Sequence, residues 1–199
     1  GTGKTYVTLW VKEALNAQRT LVLVPSLSLL SQLLREWTHA ASVPFDLLCV
    51  CSDDSVGSKS GDDAVHSVMD IAFRVTSDAA EVRQFLCGGG NRVVISTYQS
   101  SLVVAAAQSE PDVPAFDLAI ADEAHRCAGK VGGDFGAILD NEQIRSAKRL
   151  FATATPRIYS RGVKSAAEAR GVEVVGMDDR TLFGAVLYAL PFGKAIEQK

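Results

Sequence analysis

Short runs of β-branched and aliphatic residues alternate with amphipathic helical stretches along most of this chain, and that alternation is the strongest constraint on its fold. Thr20 to Val24, Asp46 to Cys51, Arg92 to Ser96, Phe116 to Ala121 and Arg149 to Ala152 each read as a strand. Near-continuous apolar runs of this length suit strands covered on both faces, and the intervening helices supply the cover, so the pattern predicts an α/β domain on a mainly parallel sheet. Val7, Trp10, Val11, Ala14 and Leu15 fall at helical spacing, as do Leu27, Leu30, Leu33, Leu34 and Trp37 behind Ser26, a candidate N-cap. A helix is expected from Asp78 to Leu86, capped by Ser77 or Asp78 and stopped by Gly88-Gly89-Gly90, and another from about Gln99 to Gln108. Weaker signals give a mobile loop over 52–63, a helix over 64–72, a flexible loop from Gly129 to Gly136, a helix near Ala166, a short strand from Val172 to Val175, and a last segment from Phe183 to Leu190.

Composition sets bounds rather than a function. With 199 residues the chain can build one full domain around a single core. Its net charge of -3 is the wrong sign for a free-standing electrostatic nucleic-acid binder, so any such role must rest on local motifs. Cys49, Cys51, Cys87 and Cys127 make no paired knuckles and have no histidine set beside them, which argues against a zinc site. Cys49 and Cys51 alternate and should share one strand face, as reduced thiols packed in a cytosolic protein. No apolar run reaches the length of a membrane span, so a cytoplasmic chain without membrane contact is expected.

In parallel sheets, ligands bind at the carboxyl ends of the strands. Lys4, Ser26, Thr97, Asp122 and Thr153 all fall just past strand ends or glycine turns. Gly1-Thr2-Gly3-Lys4-Thr5 ahead of a helix matches the back half of a phosphate-binding loop. Glycines there let backbone N–H groups face the phosphates, and the helix presents its positive end to the same anion. Lys4 would supply a point charge to the β- and γ-phosphates, and the Thr5 hydroxyl would ligate magnesium. The plainer alternative is a solvated Gly-Lys turn at a chain end. Phe116 to Ala121 then runs into Asp122-Glu123-Ala124-His125. Asp122 would hold magnesium, usually through water, and Glu123 would polarise an attacking water as general base. His125 could tie this loop to its neighbours. An acidic surface turn is the alternative, and it loses ground because the pair follows a buried strand downstream of the glycine turn.

The order of these motifs resembles that of superfamily 2 DEAD/DEAH-box helicases. Gly1 to Thr5, Asp122 to His125 and Thr153-Ala154-Thr155-Pro156 are similar to motifs I, II and III. Val24 to Gln32 resembles motif Ia, and Ser96 to Ser100 resembles a later nucleic-acid motif of the same lobe. Phe183-Gly184 and Pro191 to Glu197 look like the exit of the first lobe in type III restriction helicase subunits. The resemblance implies a RecA-like three-layer P-loop sandwich over 1–190, with 191–199 starting a linker to a second RecA-like lobe. It implies an ATP and Mg2+ site from Gly1, Thr2, Gly3, Lys4, Thr5, Asp122, Glu123 and His125, with Lys4 and Glu123 catalytic. Thr153 and Thr155 would couple that site to the nucleic-acid track. Ser26, Gln32, Thr97 and Ser100 would face the phosphate backbone, DNA rather than RNA, with little sequence preference.

The chain opens inside a motif and so reads as a fragment, cut at the front and at the back, with negligible ATPase activity expected alone. Two other classes compete with this reading. A GTPase or small-molecule kinase would need an Asn-Lys-x-Asp motif or would lack the DEAH and TATP pair. A non-motor scaffold or nucleotide sensor in a restriction or defence complex would have no need of Glu123 as a base.

Overall fold

The computed structural model describes residues 3–51, 73–130 and 135–190. Gly1, Thr2, the loop expected over 52–63, the helix expected over 64–72 and the linker expected at 191–199 lie outside these residues.

Among the described residues eight strands form, at Arg19–Val24 (β1), Asp46–Val50 (β2), Val75–Thr76 (β3), Arg92–Thr97 (β4), Phe116–Asp122 (β5), Gly129–Lys130 (β6), Ser146–Ala152 (β7) and Val174–Val175 (β8). Six of them make one sheet in the order β3-β2-β4-β1-β5-β7, with every pair parallel. The α-helices among the described residues are Lys4–Ala14 (α1), Leu27–Ala40 (α2), Ala79–Cys87 (α3), Ser101–Gln108 (α4), Arg161–Glu168 (α5) and Arg180–Phe183 (α6). The period-two alternation of each strand divides its side chains between two cores. Val22, Val24, Cys49, Cys51, Val93, Ile95, Leu118 and Ile120 pack with Leu9 of α1 and with Leu27, Leu30, Leu33, Leu34 and Trp37 of α2. Leu21, Leu23, Leu48, Val50, Val94, Ala119 and Ala121 face the opposite way, onto Val82, Phe85 and Leu86 of α3 and Val104 and Ala107 of α4. The result is the parallel α/β sheet that the strand pattern predicts, in the three-layer sandwich that the family resemblance implies, and Cys49 and Cys51 share a face as expected.

Local signals account for most element ends. Ser26 caps α2 by accepting the Leu29 N–H at 3.4 Å, and Asp78, rather than Ser77, caps α3 by accepting the Ala80 N–H at 2.8 Å. Asp117 Oδ2 accepts the N–H groups of Gln18 and Arg19, both at 2.8 Å, and so fixes where β1 begins beside β5. Arg145 donates to the carbonyls of Gln108 and Val113 at 2.7 and 2.8 Å, pinning the turn between α4 and β5.

Four expectations need correction. Most of the apolar stripe of α1 faces outward: Val7, Trp10, Ala14 and Leu15 are exposed and Val11 packs partly against the core, while Thr8, Leu9 and Lys12 are buried. Lys12 Nζ donates to Asn91 Oδ1 at 2.8 Å, which holds this face inward, and the buried Thr8 hydroxyl is satisfied within the helix by the Thr5 carbonyl at 2.8 Å. The helix from about Gln99 starts at Ser101, leaving Gln99 exposed in a turn. Gly129 to Gly136 does not read as one loop: Gly129 and Lys130 pair antiparallel with Val175 and Val174, too short a ribbon to leave a periodic signal, and 131–134 lie outside the described residues. Phe183 ends the short helix α6, and 184–190 carry no regular structure. No helix among the described residues is long and apolar enough to cross a membrane.

Candidate functional site

The parallel registers bring four strand ends to one rim. Val24 pairs with Thr97, Leu23 with Ala121, and Asp122 with Ala152, so Ser26, Thr97, Glu123 and Thr153 follow on neighbouring strands. The start of α1 joins the same rim. Gly3 stands before the helix at φ 72, a left-handed conformation that glycine adopts without strain. The Thr5 carbonyl in the first turn accepts Thr8 Oγ1 at 2.8 Å and the Trp37 indole N–H at 3.0 Å, which ties the turn to α2.

Glu123 is the hinge of the site. It is one of two non-glycine residues with positive φ among those described, at φ 50 and ψ 47. Such a conformation costs about 1–3 kcal/mol and persists only where the surroundings enforce it. The twist ends β5 abruptly and turns the carboxylate back over the head of α1, where its Oε1 lies 3.3 Å from Lys4 Nζ. The Glu123 N–H donates to Asp122 Oδ1 at 3.0 Å. Burial pushes the Asp122 carboxyl above its ordinary value, and the charge of Glu123 adds to the rise. The backbone hydrogen bond and Lys4 pull the other way.

A chain of hydroxyls and an imidazole extends from Glu123 toward the end of β7. Thr153 Oγ1 donates to Glu123 Oε2 at 3.5 Å and lies 3.0 Å from His125 Nδ1, which is itself 3.4 Å from Glu123 Oε2. Thr155 completes the cluster: its N–H donates to Thr153 Oγ1 at 3.2 Å, and its hydroxyl is 3.5 Å from His125 Nδ1. Lys4, Glu123, His125, Thr153 and Thr155 therefore form one contiguous polar group.

This arrangement can bind an anion and activate water. The first turn of α1 and Lys4 offer positive charge, and Lys4 is presently satisfied by a carboxylate that an incoming phosphate could replace. Thr5 is half-buried, and its hydroxyl makes no hydrogen bond to another described residue. No cluster of three or more His, Cys, Asp or Glu side chains among the described residues could hold a metal alone. The donor set of one hydroxyl and one carboxylate suits a magnesium ion that takes its other oxygens from phosphates and water.

The four residues expected along a nucleic-acid track divide into two kinds. Gln32 is exposed and donates to Glu36 Oε1 at 2.8 Å, and Ser26 is half-buried at the head of α2. Thr97 and Ser100 are buried, with Thr97 Oγ1 donating to Ser100 Oγ at 3.2 Å. Two further residues escaped the sequence reading as parts of the site. Trp37 registers in the sequence only as an apolar helix position, yet its indole holds Thr5. Tyr98 lies in a motif noted for its hydroxyls, yet its own hydroxyl reaches the Asp122 carbonyl at 2.7 Å.

A lysine-bearing glycine turn heading a helix, set against an acidic pair at the end of a strand in an all-parallel sheet, defines the phosphate-binding lobe of a P-loop nucleoside triphosphatase. Residues 1–158 match the family described as "Type III restriction enzyme, res subunit". The chain belongs to that family, as a first RecA-like lobe of the superfamily 2 type. It is 29% identical over 196 residues to "Probable helicase A859L" of African swine fever virus, covering 98% of this chain and 19% of that protein. It is also similar to two solved structures, each at 32% identity over 100% of this chain. One is a nuclease-deletion mutant of the Type ISP restriction-modification enzyme LlaGI in complex with a DNA substrate mimic, with a TM-score of 0.74 over 15% of that chain. The other is the ATP-dependent Type ISP restriction-modification enzyme LlaBIII bound to DNA, with a TM-score of 0.77 over 14% of that chain. The chain thus spans a fifth or less of the length of these relatives.

Proposed function

We propose that this chain is the ATP-binding lobe of an ATP-dependent DNA motor, coupling hydrolysis to movement along DNA. The observation that carries the reading is the approach of Lys4 Nζ to Glu123 Oε1, 3.3 Å, across the head of α1 and the end of β5. ATP phosphates would take the place of that carboxylate on Lys4, beside the left-handed backbone of Gly3. Thr5 and Asp122 would hold Mg2+, which supplies charge neutralisation on the β- and γ-phosphate oxygens. Freed from Lys4, Glu123 accepts a proton from the attacking water, and Thr153 and His125 orient its second oxygen. Thr155 and Thr153 exchange hydrogen bonds as the γ-phosphate leaves and so link the site to the DNA track.

DNA is favoured over RNA because both solved relatives are described as complexes with DNA or its mimic. Ser26 and Gln32 offer accessible polar groups to a phosphate backbone, while Thr97 and Ser100 shape the turn that presents the exposed Gln99. On this reading residues 1–190 are the ATP-binding domain and 191–199 lead toward a second RecA-like lobe, in a cytoplasmic protein with restriction or defence partners. The test is ATP turnover by the full-length protein with and without DNA, in wild type and in Glu123→Gln. A motor shows DNA-stimulated turnover that the substitution abolishes while ATP binding persists. A scaffold or sensor shows no stimulated turnover to lose.

A further inference from the structure

Tyr98 occupies the junction of three loops that the proposed function assigns to different tasks. Its side chain is fully buried. Its hydroxyl donates to the Asp122 carbonyl at 2.7 Å, between the two acidic residues and behind them. Its N–H donates to the Val24 carbonyl at 3.0 Å, two residues before Ser26. Its carbonyl accepts the Ser101 N–H at 3.1 Å, in the turn where Thr97 bonds to Ser100. The ring packs edge-on against Phe135, with centroids 5.6 Å apart at 87°. One residue thus connects three strand ends, its backbone holding the end of β1 and the turn after β4 and its side chain holding the end of β5.

We propose that Tyr98 is a positioning residue that transmits DNA engagement at the ends of β1 and β4 to the acidic pair at the end of β5. The inference rests on the motor reading above. A ring held by Phe135 cannot follow its backbone without displacing its hydroxyl, and the hydroxyl grips the carbonyl that precedes the strained Glu123. A shift of the Thr97–Ser100 turn therefore reaches the carboxylate that leaves Lys4 to act on water. Among the described residues no other side chain outside the acidic loop hydrogen-bonds to the backbone of Asp122 or Glu123.

Tyr98→Phe in the full-length protein removes the hydroxyl and keeps the ring. The ATPase rate is measured with and without duplex DNA, alongside KM for ATP and the thermal midpoint. The expected result is a DNA-stimulation ratio lowered about 3- to 10-fold, the range for one lost hydrogen bond, with KM for ATP unchanged. Val104→Ala, a truncation in the same core, should lower the midpoint without changing the ratio. An unchanged ratio in Tyr98→Phe overturns the proposal, as does an equal fall in stimulated and unstimulated rates, which would make the tyrosine a structural support only. A wild-type protein whose ATPase ignores DNA fails the motor reading itself, a different outcome. Should Tyr98→Phe fail to fold, amide exchange in the wild type decides: DNA without nucleotide must alter protection over 122–127, and unchanged protection there refutes the link.

Discussion

Replacing Glu123 with glutamine separates two effects that the geometry lays on one carboxylate. Its Oε1 occupies Lys4 at 3.3 Å, with the two side chains 30% and 26% exposed. Exposure of that degree lets solvent screen the pair, so it contributes at most about 1 kcal/mol. ATP must displace it to reach Lys4. Glutamine removes the charge and the competition, so ATP affinity should rise, by no more than about 5-fold. Hydrolysis should fall about 10²- to 10⁴-fold for want of a general base. Both are read in the full-length protein, by equilibrium titration with a fluorescent ATP analogue and by single-turnover hydrolysis with DNA present. A tenfold loss of affinity would show that Glu123 helps to bind the nucleotide rather than competing for Lys4. Hydrolysis within about 3-fold of wild type would remove Glu123 from the role of base.

Three further outcomes follow from the same geometry. Burial raises the Asp122 carboxyl above 3.8, so its ionised form costs stability at neutral pH, a cost that vanishes as pH falls below the unfolded value. Asp122→Asn should therefore raise the nucleotide-free thermal midpoint at pH 7, with the gain fading on acidification; equal midpoints at pH 7 would count against that assignment. Trp37→Phe should cost about 2–3 kcal/mol in denaturant unfolding, from lost volume and the lost bond to the Thr5 carbonyl. It should also weaken ATP binding more than Leu34→Ala, which truncates the same core. Lys4→Ala should lower ATP affinity at least about tenfold, as expected for a lost charged contact, in the same titration.

The sheet was legible because five of its six strands carry apolar runs long enough to stand out, and the glycine turn and acidic pair because their chemistry needs those residues in that order. What stayed hidden depends on contacts between distant segments. The bond from Lys12 to the distant Asn91 holds the buried face of α1, against the apolar stripe of Val7 and Trp10. The left-handed backbone of Glu123 has no glycine or asparagine to announce it. Thr97 and Ser100 look like free hydroxyls in sequence, yet each is spent on the other at the top of β4. Tyr98 and Trp37 read as core aromatics because sequence shows their apolar bodies and not where the polar tip lands.

A structure of the full-length protein with Mg2+ and a non-hydrolysable ATP analogue examines the convergence of Lys4, Thr5, Asp122 and Glu123 on one substrate. Lys4 Nζ should have left Glu123 for the β- or γ-phosphate, with the metal between the Thr5 hydroxyl and Asp122. A triphosphate bound elsewhere, with the Lys4–Glu123 pair intact, would contradict it.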